Sequence, residues 1–320
     1  MAKTPSENAS TRPVSVVTVV SEHYGAAKAN DRRRIDKVSE QWHSEFREPR
    51  ARKLRARGFC FAQIVGLEEK MVEPSPAGHI EFVNGQQIYF ERHGTGEPLL
   101  LLHGFSGSSQ DWKNSLAALP GFQLIIPDLR GHGRSGALEK PFRHRDAAAD
   151  TLALLDHLGI QVSKGIGISA GGNVLLHMAA QQPRRIQAMV LVSATPYFPA
   201  QSRTITRHYG DNLPAQEWER LRRNHPGGDK QIQAIIASTR AFADSHDDMN
   251  FTPPCLATIQ ARTLIVQGDR DPLYPVELSL EMAKAIPNSS LWIVPNSGHG
   301  PVIGEKWAEF LKTSAAFLRQ

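Results

Sequence analysis

Cysteine is nearly absent. Cys60 and Cys255 are the two in 320 residues. They show neither a metal-ligand spacing nor a disulfide framework, which fits a reducing cytoplasm. None of the 13 histidines falls in a His-Glu-x-x-His pair, so no metal site is expected. No apolar run approaches the roughly 20 residues of a membrane span, and the mean hydropathy is −0.35. No Asp or Glu lies between Gly171 and Gly210. That gap matters because Gly165-x-Gly167-x-x-Ala170 fits a dinucleotide-binding fingerprint, which requires an acid about 20 residues later to hold the ribose. The nucleotide reading is set aside on that ground, and no cofactor is expected.

Hydrophobic residues make up 40% of the chain, enough for a substantial core. The net charge of +5 is unevenly placed: residues 1–70 carry 14 basic and 9 acidic side chains, and the remaining 250 residues balance. The basic character therefore belongs to an N-terminal extension and says nothing about the substrate of the main body. Within the extension, Val14–Val20 is too short and too interrupted by Ser and Thr for a secretory signal. A cytoplasmic location is expected. Asp31–Phe46 has helical periodicity, with Ile35, Val38, Trp42 and Phe46 near one face. Arg50, Arg52, Lys53, Arg55 and Arg57 form a basic run. A solvated tail is the simpler reading, with contact to an anionic membrane surface as the alternative. No nucleic-acid partner is expected, and the oligomeric state is left open.

Pro74, Ser75, Pro76 and Gly78 read as a linker. Beyond it, His79–Val83 and Gln86–Arg92 form a strand pair around Asn84-Gly85, a tight-hairpin signal. Continuous apolar strands, as expected for burial on both faces, follow at Pro98–Leu102, Phe122–Pro127, Val162–Ile168, Ile186–Ser193, Thr263–Gln267 and Leu291–Val294. Helical segments alternate with them at Ser109–Leu119, Arg145–Leu158, Asn173–Gln181, Val276–Ile286 and Glu305–Leu318. The pattern predicts an α/β fold: a mostly parallel eight-stranded sheet with helices on both faces and an antiparallel first edge. Between Ala194 and Ala261 the alternation breaks, and Pro214–Asn224 and Asp229–Ala243 look helical. An insertion after the C-terminal end of a strand sits where ligands bind in open α/β sheets, so a helical cap is expected. The predicted organisation is an extension (1–70), a core in two parts (71–195 and 261–320) and a cap (196–260). Between Pro196 and Asn250 seven basic and seven acidic residues balance, giving no reason to expect a strongly charged substrate.

The chain is organised around Gly167-x-Ser169-x-Gly171, set between a strand and a helix. This is the nucleophile-elbow pattern. A serine that must project its oxygen clear of the backbone sits on a strained turn, and the residues two before and two after must lack side chains. The following helix N-terminus offers free N–H groups to a developing negative charge.

Further motifs stand in order along residues 79–320: His103-Gly104-Phe105 after the third strand, Asp128-Leu129-Arg130-Gly131-His132-Gly133-Arg134-Ser135 after the fourth, Gly268-Asp269-Arg270-Asp271-Pro272 after a later strand, and Ser297-Gly298-His299-Gly300 after the last. Together they resemble the α/β-hydrolase fold family, most closely its capped esterase, lactonase and epoxide-hydrolase branch. The chain order Ser169, Asp271, His299 is the one that fold uses for a catalytic triad. The resemblance implies that Asp271 is the triad acid, that Asp269 is structural, and that His103 shapes the oxyanion loop. It assigns the oxyanion hole to the backbone N–H groups of Phe105 and Ala170. Trp112, Tyr197 and Phe198, with the Phe105 side chain, are candidates for the acyl pocket, with plain core packing the competing reading for each.

The expected activity is a serine hydrolase cleaving a small carboxylic ester, lactone or thioester through an acyl-enzyme. The same triad would also serve perhydrolysis, haloperoxidase-type chemistry or C–C bond hydrolysis. A ligand-binding receptor on the same fold is the non-enzymatic alternative. Epoxide or halide opening is disfavoured, because Ser169 stands where those relatives carry Asp.

Overall fold

The computed structural model describes residues 78–320. The readings made on residues 1–77 (the Asp31–Phe46 periodicity, the basic run and most of the linker) lie outside the described residues.

Eight strands form one sheet in the order β1-β2-β4-β3-β5-β6-β7-β8. β1 (Gly78–Val83) and β2 (Gln86–His93) form the predicted hairpin, with Asn84 at φ 49° and Gly85 at φ 75°. Two consecutive left-handed residues are what a two-residue hairpin turn needs to match the strand twist. β2 runs antiparallel to β4 (Phe122–Pro127). From β4 onward every pairing is parallel: β3 (Glu97–Leu102), β5 (Ser163–Ile168), β6 (Ile186–Val192), β7 (Arg262–Gly268) and β8 (Ser289–Val294).

Because side chains alternate across a strand, each central strand feeds two cores. Leu100, Leu102, Met189, Leu191 and Ile265 face one cluster, packed under α1 (His144–His157), α2 (Ala170–Gln181) and α7 (Val276–Ala285). Leu99, Leu101, Val190, Val192 and Val266 face the other, under a 3-10 helix (Ser109–Ala118) and α8 (Trp307–Leu318). The continuous apolar runs in the sequence come from this burial on both faces.

Between β6 and β7 lie α3 (Ala200–Arg207), α4 (Ala215–Asn224), α5 (Gly228–Ala241) and the short α6 (Pro253–Leu256). α3 and α6 carry no strong sequence signal, since α3 is largely polar and α6 spans only four residues. Leu221, Ile232 and Ile236 form a small core of their own between α4 and α5. Residues 109–118 are 3-10 rather than α-helical, and a capping box between Ser108 and Asp111 starts them. Among the described residues no helix is long and apolar enough to cross a membrane.

Candidate active site

Ser169 lies between the end of β5 and the first residue of α2, at φ 50° and ψ −111°. A side chain in this region is strained by about 1–3 kcal/mol. The surroundings hold it there through close backbone approach. A Cβ on Gly167 would come within 2.4 Å of the Gly171 carbonyl oxygen, and one on Gly171 within 2.3 Å of the Leu102 carbonyl oxygen. The two glycines of the motif are therefore required by the turn itself, and the second also presses the elbow against the end of β3.

The structure brings the three predicted side chains into one line. His299 Nε2 is 2.8 Å from Ser169 Oγ, and His299 Nδ1 is 2.8 Å from Asp271 Oδ2. Asp271 is 7% exposed. Burial works to raise its carboxyl, but the neighbouring His299 and the backbone N–H groups of Tyr274 and Leu273 outweigh it and hold the carboxyl below its ordinary value. An ionised Asp271 has no proton to give, so Nδ1 carries the hydrogen and donates it. Nε2 of the neutral ring is then left to accept the Ser169 hydroxyl proton.

Two residues absent from the sequence reading set this line. Gln267, fully buried, donates from Nε2 to Asp271 Oδ2 at 2.9 Å and to the Tyr274 carbonyl at 2.8 Å. Ser193, at φ 48°, accepts the Gly300 N–H on its Oγ at 3.0 Å and so fixes the loop that carries His299. Gly268 completes the packing: a Cβ there would lie 2.3 Å from the carbonyl oxygens of both Ser297 and Gly298. Asp269 sits apart from the imidazole, accepting the Ser297 N–H at 3.0 Å. Gln267 and Ser193 act through contacts that span strands, which no local sequence pattern reveals.

The loop after β3 passes beside the serine, where a Cβ on Gly104 would be 3.7 Å from Ser169 Cβ. The Gly104 carbonyl accepts from Gly107 N at 3.0 Å and from His103 Nδ1 at 2.8 Å. Across a trans peptide the N–H points opposite to the C=O, so the Phe105 N–H is aimed away from both donors. His103 Nε2 in turn accepts the Leu129 N–H at 3.0 Å. Both ring nitrogens are thus committed in the neutral form, and burial pushes the ring down to about 4. Ala170 opens α2, where the first amides have no partner within the helix.

Of the pocket candidates, Phe198 is 4% exposed and stacks on Phe242 with ring centroids 5.3 Å apart. The Phe105 ring meets His132, Phe142 and Phe242 edge-on at 4.7–5.0 Å. Trp112 is a correction. It is fully buried against Trp307 in the cluster on the sheet's opposite face, because the 3-10 helix turns it inward there. Tyr197 is 37% exposed, and its hydroxyl donates to Glu281 at 3.3 Å. Its neighbour Phe198, one residue on, faces the core instead. Among the described residues no group of three or more His, Cys, Asp or Glu side chains is placed to hold a metal ion.

A sequence model of the alpha/beta hydrolase fold matches residues 97–224, which include the elbow, the loop after β3 and the loop after β4. The chain belongs to the α/β-hydrolase fold family. It is an enzyme of the hydrolase type. A second model, described as TAP-like protein, matches residues 247–319, the part holding Asp271 and His299. Among curated relatives, the chain is 28% identical over 257 residues to a non-heme haloperoxidase of Rhodococcus erythropolis, covering 68% of this chain and 90% of that one. It is 27% identical over 250 residues to a 2-hydroxy-6-oxononadienedioate/2-hydroxy-6-oxononatrienedioate hydrolase of Pseudomonas putida, covering 67% and 85%. The crystal structure of an enol-lactonase from Burkholderia xenovorans LB400 superposes with a TM-score of 0.62 at 22% identity, covering 76% of this chain and all of that one. That last likeness is one of fold.

Proposed function

We propose that this hydrolase cleaves a small carboxylic ester, lactone or thioester through an acyl-enzyme formed on Ser169. The observation that carries the reading is the unbroken chain Ser169 Oγ, His299, Asp271, with 2.8 Å at each step. A serine hydroxyl is a weak nucleophile until a base takes its proton. Here Nε2 takes it as Oγ attacks the carbonyl carbon, and Asp271 stabilises the imidazolium that forms. The carbonyl oxygen becomes an oxyanion facing the N–H groups of Phe105 and Ala170. Each such donor is worth about 2.7–4 kcal/mol in other hydrolases. As the tetrahedral adduct collapses, Nε2–H protonates the leaving oxygen or sulfur. Water then attacks the acyl-enzyme with Nε2 as base again, releasing the acid and restoring the Ser169 hydroxyl.

The helical segment 196–260 acts in this reading as a cap, joined to the core loops by long-range side-chain hydrogen bonds. Phe198 and Phe242 meet the Phe105 ring region, which suits an apolar acyl group. The relatives' names favour keeping a second chemistry in view, perhydrolysis or C–C hydrolysis on the same triad. A fluorophosphonate probe tests the nucleophile: labelling of the parent and none of Ser169→Ala is the expected result. A panel of short esters, lactones, thioesters and a vinylogous diketone, run with and without peroxide, separates the chemistries. Turnover only with peroxide, or only on a vinylogous diketone, would replace the ester reading.

A further inference from the structure

Ser106 follows the proposed oxyanion donor Phe105 and is held in the left-handed region at φ 62° while 4% exposed. Serine rarely adopts this conformation without support. The support comes from α4 and its flanks, more than 100 residues away in sequence. His225 Nε2 donates to the Ser106 carbonyl at 3.1 Å, and Arg220 Nη1 reaches the same oxygen at 3.4 Å. Arg220 Nη2 donates to Ser106 Oγ at 3.2 Å, and the Tyr209 hydroxyl lies 3.5 Å from it.

Neither of the two main partners is free to wander. His225 is fully buried, and its Nδ1 accepts the Gly133 N–H at 2.9 Å. One ring therefore bridges the loop after β3 to the loop after β4, in a single neutral tautomer with hydrogen on Nε2. Arg220 is locked by a two-pronged pair with buried Glu217, at 2.7 and 2.9 Å. A fork of this kind fixes the direction of the guanidinium as well as its position. Gln231 of α5 adds a third tie, donating to the carbonyls of Gly131 and Gly133 at 3.0 Å each.

We propose that Arg220 and His225 are positioning residues for the oxyanion loop: by gripping Ser106 they hold the preceding Phe105 N–H on the reacting oxygen. The Gly104 carbonyl is pinned from the core side by His103 and Gly107, and Ser106 from the cap side by α4. The Phe105 amide lies between the two anchors. The cap is then part of the transition-state machinery as well as a cover. This rests on the acyl-enzyme reading above.

The test uses the full chain and a readout specific to the oxyanion. A trifluoromethyl ketone adds to a serine as a tetrahedral oxyanion, whereas the matching secondary alcohol binds the same pocket without adding. The ratio of the alcohol's inhibition constant to the ketone's reports the oxyanion hole, falling as the hole weakens, and is insensitive to general loosening of the pocket. Arg220→Lys keeps a charge beside Glu217 but loses the fork, and His225→Phe keeps a ring but loses both hydrogen bonds. Small misplacement of a catalytic group can cost about 100-fold, as can loss of one oxyanion donor. Both variants are therefore expected to lose ten- to hundredfold in kcat with KM within about threefold, and the inhibitor ratio should fall in step. His225→Gln, whose amide can both donate to Ser106 and accept from Gly133, should recover most of the loss. If His225→Phe is insoluble, Arg220→Lys and His225→Gln carry the test. Folded variants whose kcat and inhibitor ratio stay within twofold of the parent would overturn the proposal, as would a lowered melting temperature with an unchanged ratio. A parent inert to both fluorophosphonate and ketone would instead remove the acyl-enzyme reading, and the proposal with it.

Discussion

The side-chain amide of Gln267 donates to Oδ2 of Asp271, the same oxygen that accepts Nδ1–H of His299. Two donors on one oxygen fix where that oxygen sits, and with it the plane of the imidazole. Asp271 Oδ1 is held separately by the N–H groups of Leu273 and Tyr274. Losing Gln267 should therefore loosen the carboxylate without releasing it. A hydrogen bond to a charged group contributes about 1.5–3 kcal/mol, and only the part that orients the imidazole, with the other three bonds to the carboxylate kept, reaches kcat. Gln267→Met is expected to lower kcat roughly three- to tenfold, with KM unchanged in steady-state kinetics. An unchanged kcat would leave Gln267 with a packing role only.

The strain at Ser169 separates two substitutions that both remove the hydroxyl. Ser169→Ala and Ser169→Gly should each cost about 10⁴-fold or more in kcat, since a lost triad member leaves only binding and oxyanion stabilisation. Their stabilities should differ. Alanine keeps the Cβ in a disfavoured backbone region, and glycine does not. The glycine variant is expected to melt about 2–4 °C above the alanine variant, corresponding to roughly 1 kcal/mol for a domain of this size. Equal melting temperatures would mean that the strain at Ser169 is no larger than the roughly 0.5–1 kcal/mol that glycine loses to the freedom of the unfolded chain.

Asp271 and Asp269 stand two residues apart with different partners, His299 Nδ1 for the first and the Ser297 N–H for the second. Asp271→Asn removes the acceptor that sets the imidazole tautomer and should cost about 10⁴-fold in kcat. Asp269→Asn weakens an anchor of the loop bearing His299, so its expected cost is about tenfold or less, with a lowered melting temperature. A larger loss for Asp269→Asn would reverse the two roles.

Much of this site was legible because its demands are local. The glycines around Ser169 are required by contacts within the elbow and with the adjoining end of β3. The loops carrying Asp271 and His299 announce themselves by Gly-flanked polar residues at strand ends. The hairpin at Asn84-Gly85 has a turn chemistry of its own. What escaped the sequence depends on which parts of the chain meet. Nothing local says that β4 lies between β2 and β3 in the sheet. Of the two readings open for Trp112, pocket and core packing, the structure takes the second, because nothing local shows which sheet face the turn at 109–118 covers. His225 and Arg220 read as ordinary polar residues of an insertion until they are seen on Ser106, 119 and 114 residues away.

The buried histidines make a prediction about acid. Burial pushes His103, His177 and His225 down to about 4, and His132 well below its ordinary value of 6.5. The unfolded chain therefore binds protons on these rings at pH values where the native protein does not. Stability must fall as pH drops from about 6.5 towards 4, at up to about 1.4 kcal/mol per pH unit for each ring. Asp128, pushed up to about 6 by burial, runs the other way, since its native form takes up a proton first and gains stability below that pH. Asp111 is raised by burial as well. These carboxyls offset only part of the four rings, so the melting temperature is expected to fall between pH 7 and pH 5. His177 isolates one contribution. It lies on α2, away from the reacting atoms, packs on Phe251 at 4.8 Å, and its Nε2 is 3.8 Å from Asp248, beyond hydrogen-bond range. His177→Leu removes one titrating ring and leaves the others in place. Its melting temperature should be at least that of the parent at pH 5, and its pH dependence between 6.5 and 4 should be shallower. Thermal melts at half-unit pH steps check this, and parallel curves for the two proteins would mean that the ring binds its proton at the same pH folded and unfolded.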